Sequence, residues 1–135
     1  MVKVGLRPQR HAGFTLVELT VVISLIVVLS TLALVGYRNA MTRSREAVLK
    51  EDLFRMRQAI DQYYADKEEY PDTLETLVND GYLRALPVDP FTASAEAWQP
   101  ILEELDPADP FAQGVFDVKS SHEGIAMDGS LYADW

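Results

Sequence analysis

Cysteine is absent from the 135 residues. A domain of this size must then hold itself together by its core, a bound ion or assembly, with no disulfide to help. Histidine is nearly absent too: His11 and His122 are the two in the chain. His122 stands alone in an acidic loop and reads as a surface residue. No serine sits in a nucleophile-elbow context, and no glycine-rich loop could cradle a phosphate. The neighbouring acids Glu103 and Glu104 would point to opposite faces of a strand, so they make no acid–base pair. Catalysis therefore finds no support, and the chain reads as a non-enzyme. Basic residues are scarce beyond the start. Residues 1–13 carry Lys3, Arg7 and Arg10 and no acid; the remainder holds 9 bases against 21 acids. A surface that acidic lacks the basic face needed to neutralise phosphates, so no nucleic-acid partner is expected.

What the chain does have is a junction, Gly-Phe-Thr-Leu-Val-Glu at positions 13–18, between the basic leader and a long apolar run. The run, residues 14–36, holds one charge, Glu18, near its beginning. About 23 residues at 1.5 Å rise form a helix of roughly 35 Å, enough to span a bilayer. Arg38, Arg43 and Arg45 follow it, so both flanks are basic and charge votes weakly on orientation. An ordinary secretory signal would have a shorter apolar core and a small-residue cleavage site at its end. Neither is present. A plain membrane anchor stays open on these grounds.

A carboxylate inside a membrane-spanning length is expensive and reads by default as functional. Buried, it needs an opposite charge or a proton. A lone protonated glutamate, merely tolerated, is the alternative. The junction and its helix resemble the class III signal of type IV pilins and type II secretion pseudopilins. That resemblance implies cleavage after Gly13 by a prepilin peptidase, and methylation of the new amino terminus at Phe14. It also gives Glu18 a role in assembly, with the apolar helix kept as membrane anchor and filament core. The implied chemistry is consistent: the cut removes the basic leader and creates a cationic amine four residues before Glu18. The Phe14 amine of a neighbouring subunit could pair with Glu18 and set the axial register. One departure stands out. Many members of that superfamily carry a helix-breaking proline where this chain has Val35. Gly36 weakens a helix by only about 1 kcal/mol relative to alanine, much less than a proline would.

Tyr37, Met41, Val48, Phe54, Met56, Ile60 and Tyr63/Tyr64 recur at mostly helical spacing, which predicts an amphipathic continuation of the helix. It should run to about Ala65 and stop before Tyr70-Pro71. The predicted helix has about 50 residues, or roughly 75–80 Å. Its apolar stripe is expected to pack on the small domain that follows. Asp72 and Glu75 fit a capping box, Leu74, Leu77 and Val78 give a short helix one apolar face, and Gly81 suits a left-handed C-cap. Pro87 and Pro90 make positions 81–91 an extended, rigid connector. Strands are expected at 98–105 and 115–118, with 131–135 a third, and a turn-rich loop at 106–110.

Tyr70-Pro71, the short helix and the Gly-Tyr-Leu…Leu-Pro…Asp-Pro stretch resemble, more narrowly, the major pseudopilins (protein G type) of type II secretion systems. The implied fold is α+β, a type IV pilin-like lollipop. Its parts are a leader at 1–13, a transmembrane half-helix at 14–36, an amphipathic half-helix at 37–66 and a periplasmic domain at 67–135. That domain carries the short helix and a small antiparallel β-sheet. The implied function is a pseudopilus subunit in the inner membrane that helps drive folded proteins across the outer membrane. Its implied partners are further copies of itself, the prepilin peptidase, the inner-membrane assembly platform, minor pseudopilins and membrane lipid. A type IV pilin or minor pseudopilin, serving adhesion, motility or DNA uptake, is one rival. A membrane-anchored binding module that never polymerises is the other. The resemblance also implies calcium (Ca2+) in the C-terminal loop, through Glu123 and Asp128. Sequence chemistry alone reads that loop as a solvated acidic segment. It has no EF-hand spacing, it is shorter than usual for the family, and Glu123 replaces the usual aspartate.

Overall fold

The computed structural model describes residues 13, 15–104 and 113–135. Residues 1–12 of the leader, Phe14 and the expected turn-rich loop at 106–110 lie outside the described residues. The chain divides into two compact units, Met1–Asn39 and Ala40–Trp135. Helix α1, Leu16–Lys67, contributes to both.

In the first unit, α1 begins as a capped helix. Thr15 is its cap: its Oγ1 accepts the Glu18 N–H at 3.2 Å, and its carbonyl accepts the Leu19 N–H at 3.1 Å. One of the orphan donors of the first turn is thereby satisfied. Leucines, valines and isoleucines from Leu16 to Val35 are exposed on every side of the helix. A helix apolar all round belongs in lipid or among other helices. Among the described residues, α1 is the one helix long and apolar enough to cross a membrane. Its few hydroxyls suit that setting. Thr20, Ser24 and Thr31 each donate to the carbonyl four residues back, at 2.8 Å, so these three present no unsatisfied donor to hydrocarbon. Helix geometry passes through Val35 and Gly36 without a break, as expected where proline is missing.

In the second unit, the rest of α1 buries Leu49, Leu53, Met56, Ile60 and Tyr63. Their spacing of four, three, four, three keeps them on one face. This corrects the expected stripe. Val48, Phe54 and Tyr64 are exposed, because each lies a residue off the seam that faces the core. The helix ends at Lys67, two residues beyond the expected end, with Glu68 left-handed at φ 61° and its N–H on the Tyr64 carbonyl.

Helix α2, Leu74–Asn79, is short and buries Leu74 and Leu77. The expected capping box does not form. Thr73 is the N-cap, without a side-chain cap bond. The register that buries both leucines starts the helix one residue later than Asp72 requires. The C-terminus follows expectation. Gly81 has φ +84°, its N–H reaches the Val78 carbonyl at 3.2 Å, and the Tyr82 N–H reaches the Leu77 carbonyl at 2.8 Å. Those two bonds make a Schellman motif.

Strands β1, Trp98–Leu102, and β2, Val115–Ser120, form a two-stranded antiparallel sheet with Trp98 opposite Ser120. Ile101 faces Asp117 but Leu102 faces Val115, so Phe116 is an extra residue on β2, a bulge. The bulge switches the in–out parity. Val118 and Ser120 point inward on one side of it and Val115 on the other. The expected third strand is not formed. Leu131 makes a single bridge to Ile125, and Tyr132–Asp134 turns into a 3-10 helix, η1. There the Asp134 and Trp135 N–H groups bond back to Leu131 and Tyr132, so no ladder is left for them. The core gathers the α1 seam, Leu74 and Leu77, Trp98, Val115, Val118, Ala126 and Tyr132.

Candidate functional site: the processing junction and the C-terminal loop

Two sets of residues carry the functional expectations. The first is the junction. Gly13 is exposed, and a Cβ there would meet nothing within 4 Å. Phe14 lies outside the described residues. Glu18 sits in the first turn of α1 and is exposed. A negative charge there is favoured by the unpaired N–H groups of the helix start. No described side chain pairs with its carboxylate. The Thr15–Glu18 pair therefore explains how the helix begins, and leaves the carboxylate open to a charge from elsewhere.

The second set is the C-terminal loop. Glu123 and Asp128 are both exposed. Asp128 Oδ1 accepts the Ser130 N–H at 2.9 Å and the Ser130 hydroxyl at 2.6 Å. Those bonds hold its carboxyl below the ordinary value. Two further acids close by in sequence, Asp117 and Asp134, are placed elsewhere. Asp117 Oδ1 accepts from Arg57 Nε at 2.7 Å, and Asp134 lies exposed on η1. Among the described residues, no three acid or histidine side chains come together as a metal-holding group. Calcium takes six to eight oxygens, and Glu123 and Asp128 do not by themselves make such a cage.

What holds the loop is a set of side chains on α1 that sequence reading missed. Glu46 Oε1 accepts the Met127 N–H at 2.8 Å and the Tyr132 hydroxyl at 2.9 Å. Burial of Tyr132, and then the Glu46 carboxylate beside it, push its phenol up to about 12. Lys50 Nζ lies 4.0 Å over the Trp135 ring. Arg57 Nη2 donates to the backbone oxygens of Val118 at 3.0 Å and Trp135 at 2.7 Å. Also missed was Asp89, fully buried in the proline connector. Its Oδ1 accepts the Phe91 and Thr92 N–H groups at 2.8 and 3.2 Å, and its Oδ2 the Ser120 hydroxyl at 2.5 Å. A buried carboxylate persists only with such partners. The Asp-Pro pair at 89–90 was the available signal. For Glu46 and Arg57 it was their position beside the buried seam.

Comparison with known families fits this layout. Residues 8–34, with the junction and most of the apolar run, match the prokaryotic N-terminal methylation motif. Residues 37–128 match "Type II secretion system (T2SS), protein G". The chain belongs to the type II secretion system protein G family. The family is a structural pseudopilin of the secretion machinery, as the resemblance of the junction and the connector implied. Type II secretion system core protein G of Pseudomonas aeruginosa is 32% identical over 99 residues, 62% of this chain and 70% of that protein. The core protein G of Klebsiella pneumoniae is 29% identical over 133 residues, 87% of this chain and 94% of its own length. Fimbrial protein EcpC of Eikenella corrodens is 28% identical over 128 residues, 91% of this chain and 80% of that protein. No solved structure matches the chain. Within the protein G match lie Glu46, Arg57, Asp89, Glu123 and Asp128.

Proposed function

We propose that this protein is a major pseudopilin: a subunit that polymerises into a periplasmic pseudopilus and helps drive folded proteins across the outer membrane. The observation that carries the reading is the first unit. A helix of membrane-spanning length exposes apolar side chains all round, and its one carboxylate sits in the first turn behind Gly13. Cleavage after Gly13 by a prepilin peptidase would place a methylated Phe14 amine one turn from Glu18. The helix then serves twice, first as inner-membrane anchor, later as filament core. Leaving lipid is offset by packing the helices against one another, and a Glu18 carboxylate moving into that core is matched by the amine of the next subunit. The second unit, which carries most of the acids, faces the periplasm. The protein has a structural role and no catalytic one.

The similarity to a fimbrial protein favours a second reading, a type IV pilin or minor pseudopilin. Co-expression with an assembly platform and prepilin peptidase, followed by electron microscopy and immunodetection, separates the two. Filaments confined to the periplasm at natural expression levels support the pseudopilus. Long surface filaments at those levels support the pilin, and no filaments at any level contradict both.

A further inference from the structure

We propose that the C-terminal loop of this protein, residues 123–135, is closed by an anionic strut, Glu46, and needs no metal ion to hold its shape. The argument starts from polarity. A cation gathers a loop by collecting oxygens around itself. Here the point where the loop meets α1 presents donors instead, the Met127 N–H and the Tyr132 hydroxyl, and both converge on one carboxylate oxygen, Glu46 Oε1. An N–H has no lone pair to offer a cation, and the Tyr132 hydroxyl turns its hydrogen to the carboxylate.

The rest of the loop closes on itself. Ile125 bridges to Leu131, the Ala126 N–H reaches the Ser130 carbonyl at 2.7 Å, and the Gly129 N–H reaches the Ala126 carbonyl at 2.9 Å. Gly129 supplies the left-handed corner at φ +88°, a conformation other residues adopt only at a cost. One Asp128 oxygen, Oδ1, is engaged twice by Ser130. Ser130 Oγ in turn accepts the Trp135 indole N–H at 2.6 Å. Lys50 over the Trp135 ring and Arg57 on the Trp135 backbone oxygen complete the attachment. These groups span three turns of α1, so the helix face itself is the clamp.

The test uses the full chain in detergent micelles, with limited proteolysis read by mass spectrometry at bonds within residues 123–135. Wild type is compared in excess calcium chloride and in excess chelator. The expected result is the same cleavage rate in both. Glu46→Gln keeps the shape but weakens both charge-assisted bonds, and cleavage in the loop should rise about tenfold. Should that variant fail to fold, Tyr132→Phe removes one donor while keeping the ring, and should raise cleavage a few-fold. Glu123→Gln should leave the rate unchanged. Calcium protection of wild type by tenfold or more would overturn the proposal. Unchanged cleavage in both Glu46→Gln and Tyr132→Phe, or in Tyr132→Phe alone where Glu46→Gln does not fold, would overturn it as well.

Discussion

The Tyr132 hydroxyl donates to Glu46 Oε1 at 2.9 Å, joining residues 86 positions apart in sequence. This contact ties the end of the chain to the middle of α1, and it has a pH signature. The phenol is pushed up to about 12 from an ordinary 10.0. A group whose value is raised in the fold contributes stability that is fully present below its unfolded value and lost as pH rises through its folded one. Lys67, paired with Asp80, is likewise raised to about 12 from 10.5. The melting temperature should therefore decline between pH 10 and 12. Tyr132→Phe should start lower at neutral pH and decline less steeply. Parallel pH profiles for wild type and variant would remove Tyr132 as a source of the alkaline loss.

The α1 seam makes a contrast between neighbours. Leu53 is buried and Phe54 is exposed. Leu53→Ala should cost about 2–5 kcal/mol, the range for a buried leucine that leaves a cavity. Phe54→Ala should stay within about 0.5 kcal/mol. Chemical denaturation of the detergent-solubilised chain checks both. Equal losses at the two positions would mean that the seam is misplaced.

Ser120 and Asp89 are both buried, and the serine hydroxyl is the donor to Asp89 Oδ2. Ser120→Ala leaves that oxygen without its side-chain donor in a dry setting. The expected loss is about 1–3 kcal/mol, seen in the same denaturation assay. An unchanged midpoint would show that the connector does not depend on this bond.

At the other end, Glu18→Ala should leave processing after Gly13 largely intact and abolish assembly, since the carboxylate is exposed and caps nothing. Immunoblots report the first and sheared or cross-linked filaments the second. Normal filament yield from this variant would end the register role given to Glu18.

Much of this was legible from residues alone, for physical reasons that differ by region. The apolar run needed only length and composition, since membrane spanning is set by local sequence. The C-terminus of α2 was equally plain, because Gly81 is required at a left-handed position. The seam of α1 was harder. Val48 and Phe54 are as apolar as Leu49 and Leu53, and the hydrophobic pattern alone does not say which line meets the core. The N-cap moved from Asp72 to Thr73 because burying Leu74 and Leu77 outweighs a surface hydrogen bond. The final segment looked like a strand, yet Tyr132 is drawn into the core and its backbone tightens into a 3-10 turn. Glu46 and Arg57 were harder to read, since both act on partners distant in sequence; Asp89 left a local trace in its Asp-Pro pair, but its Ser120 partner lies 31 residues away. Polar residues show that kind of role only once the chain is folded.

The central claim, entry into filament assembly through the junction, is tested most directly by intact mass and N-terminal sequencing. The protein would be isolated from its native membrane, beside a strain lacking the prepilin peptidase. The account predicts a chain starting at Phe14 with one added methyl group, and the uncut chain in the strain without the peptidase. A chain that keeps its leader in both strains would contradict it and leave a membrane-anchored domain that does not assemble.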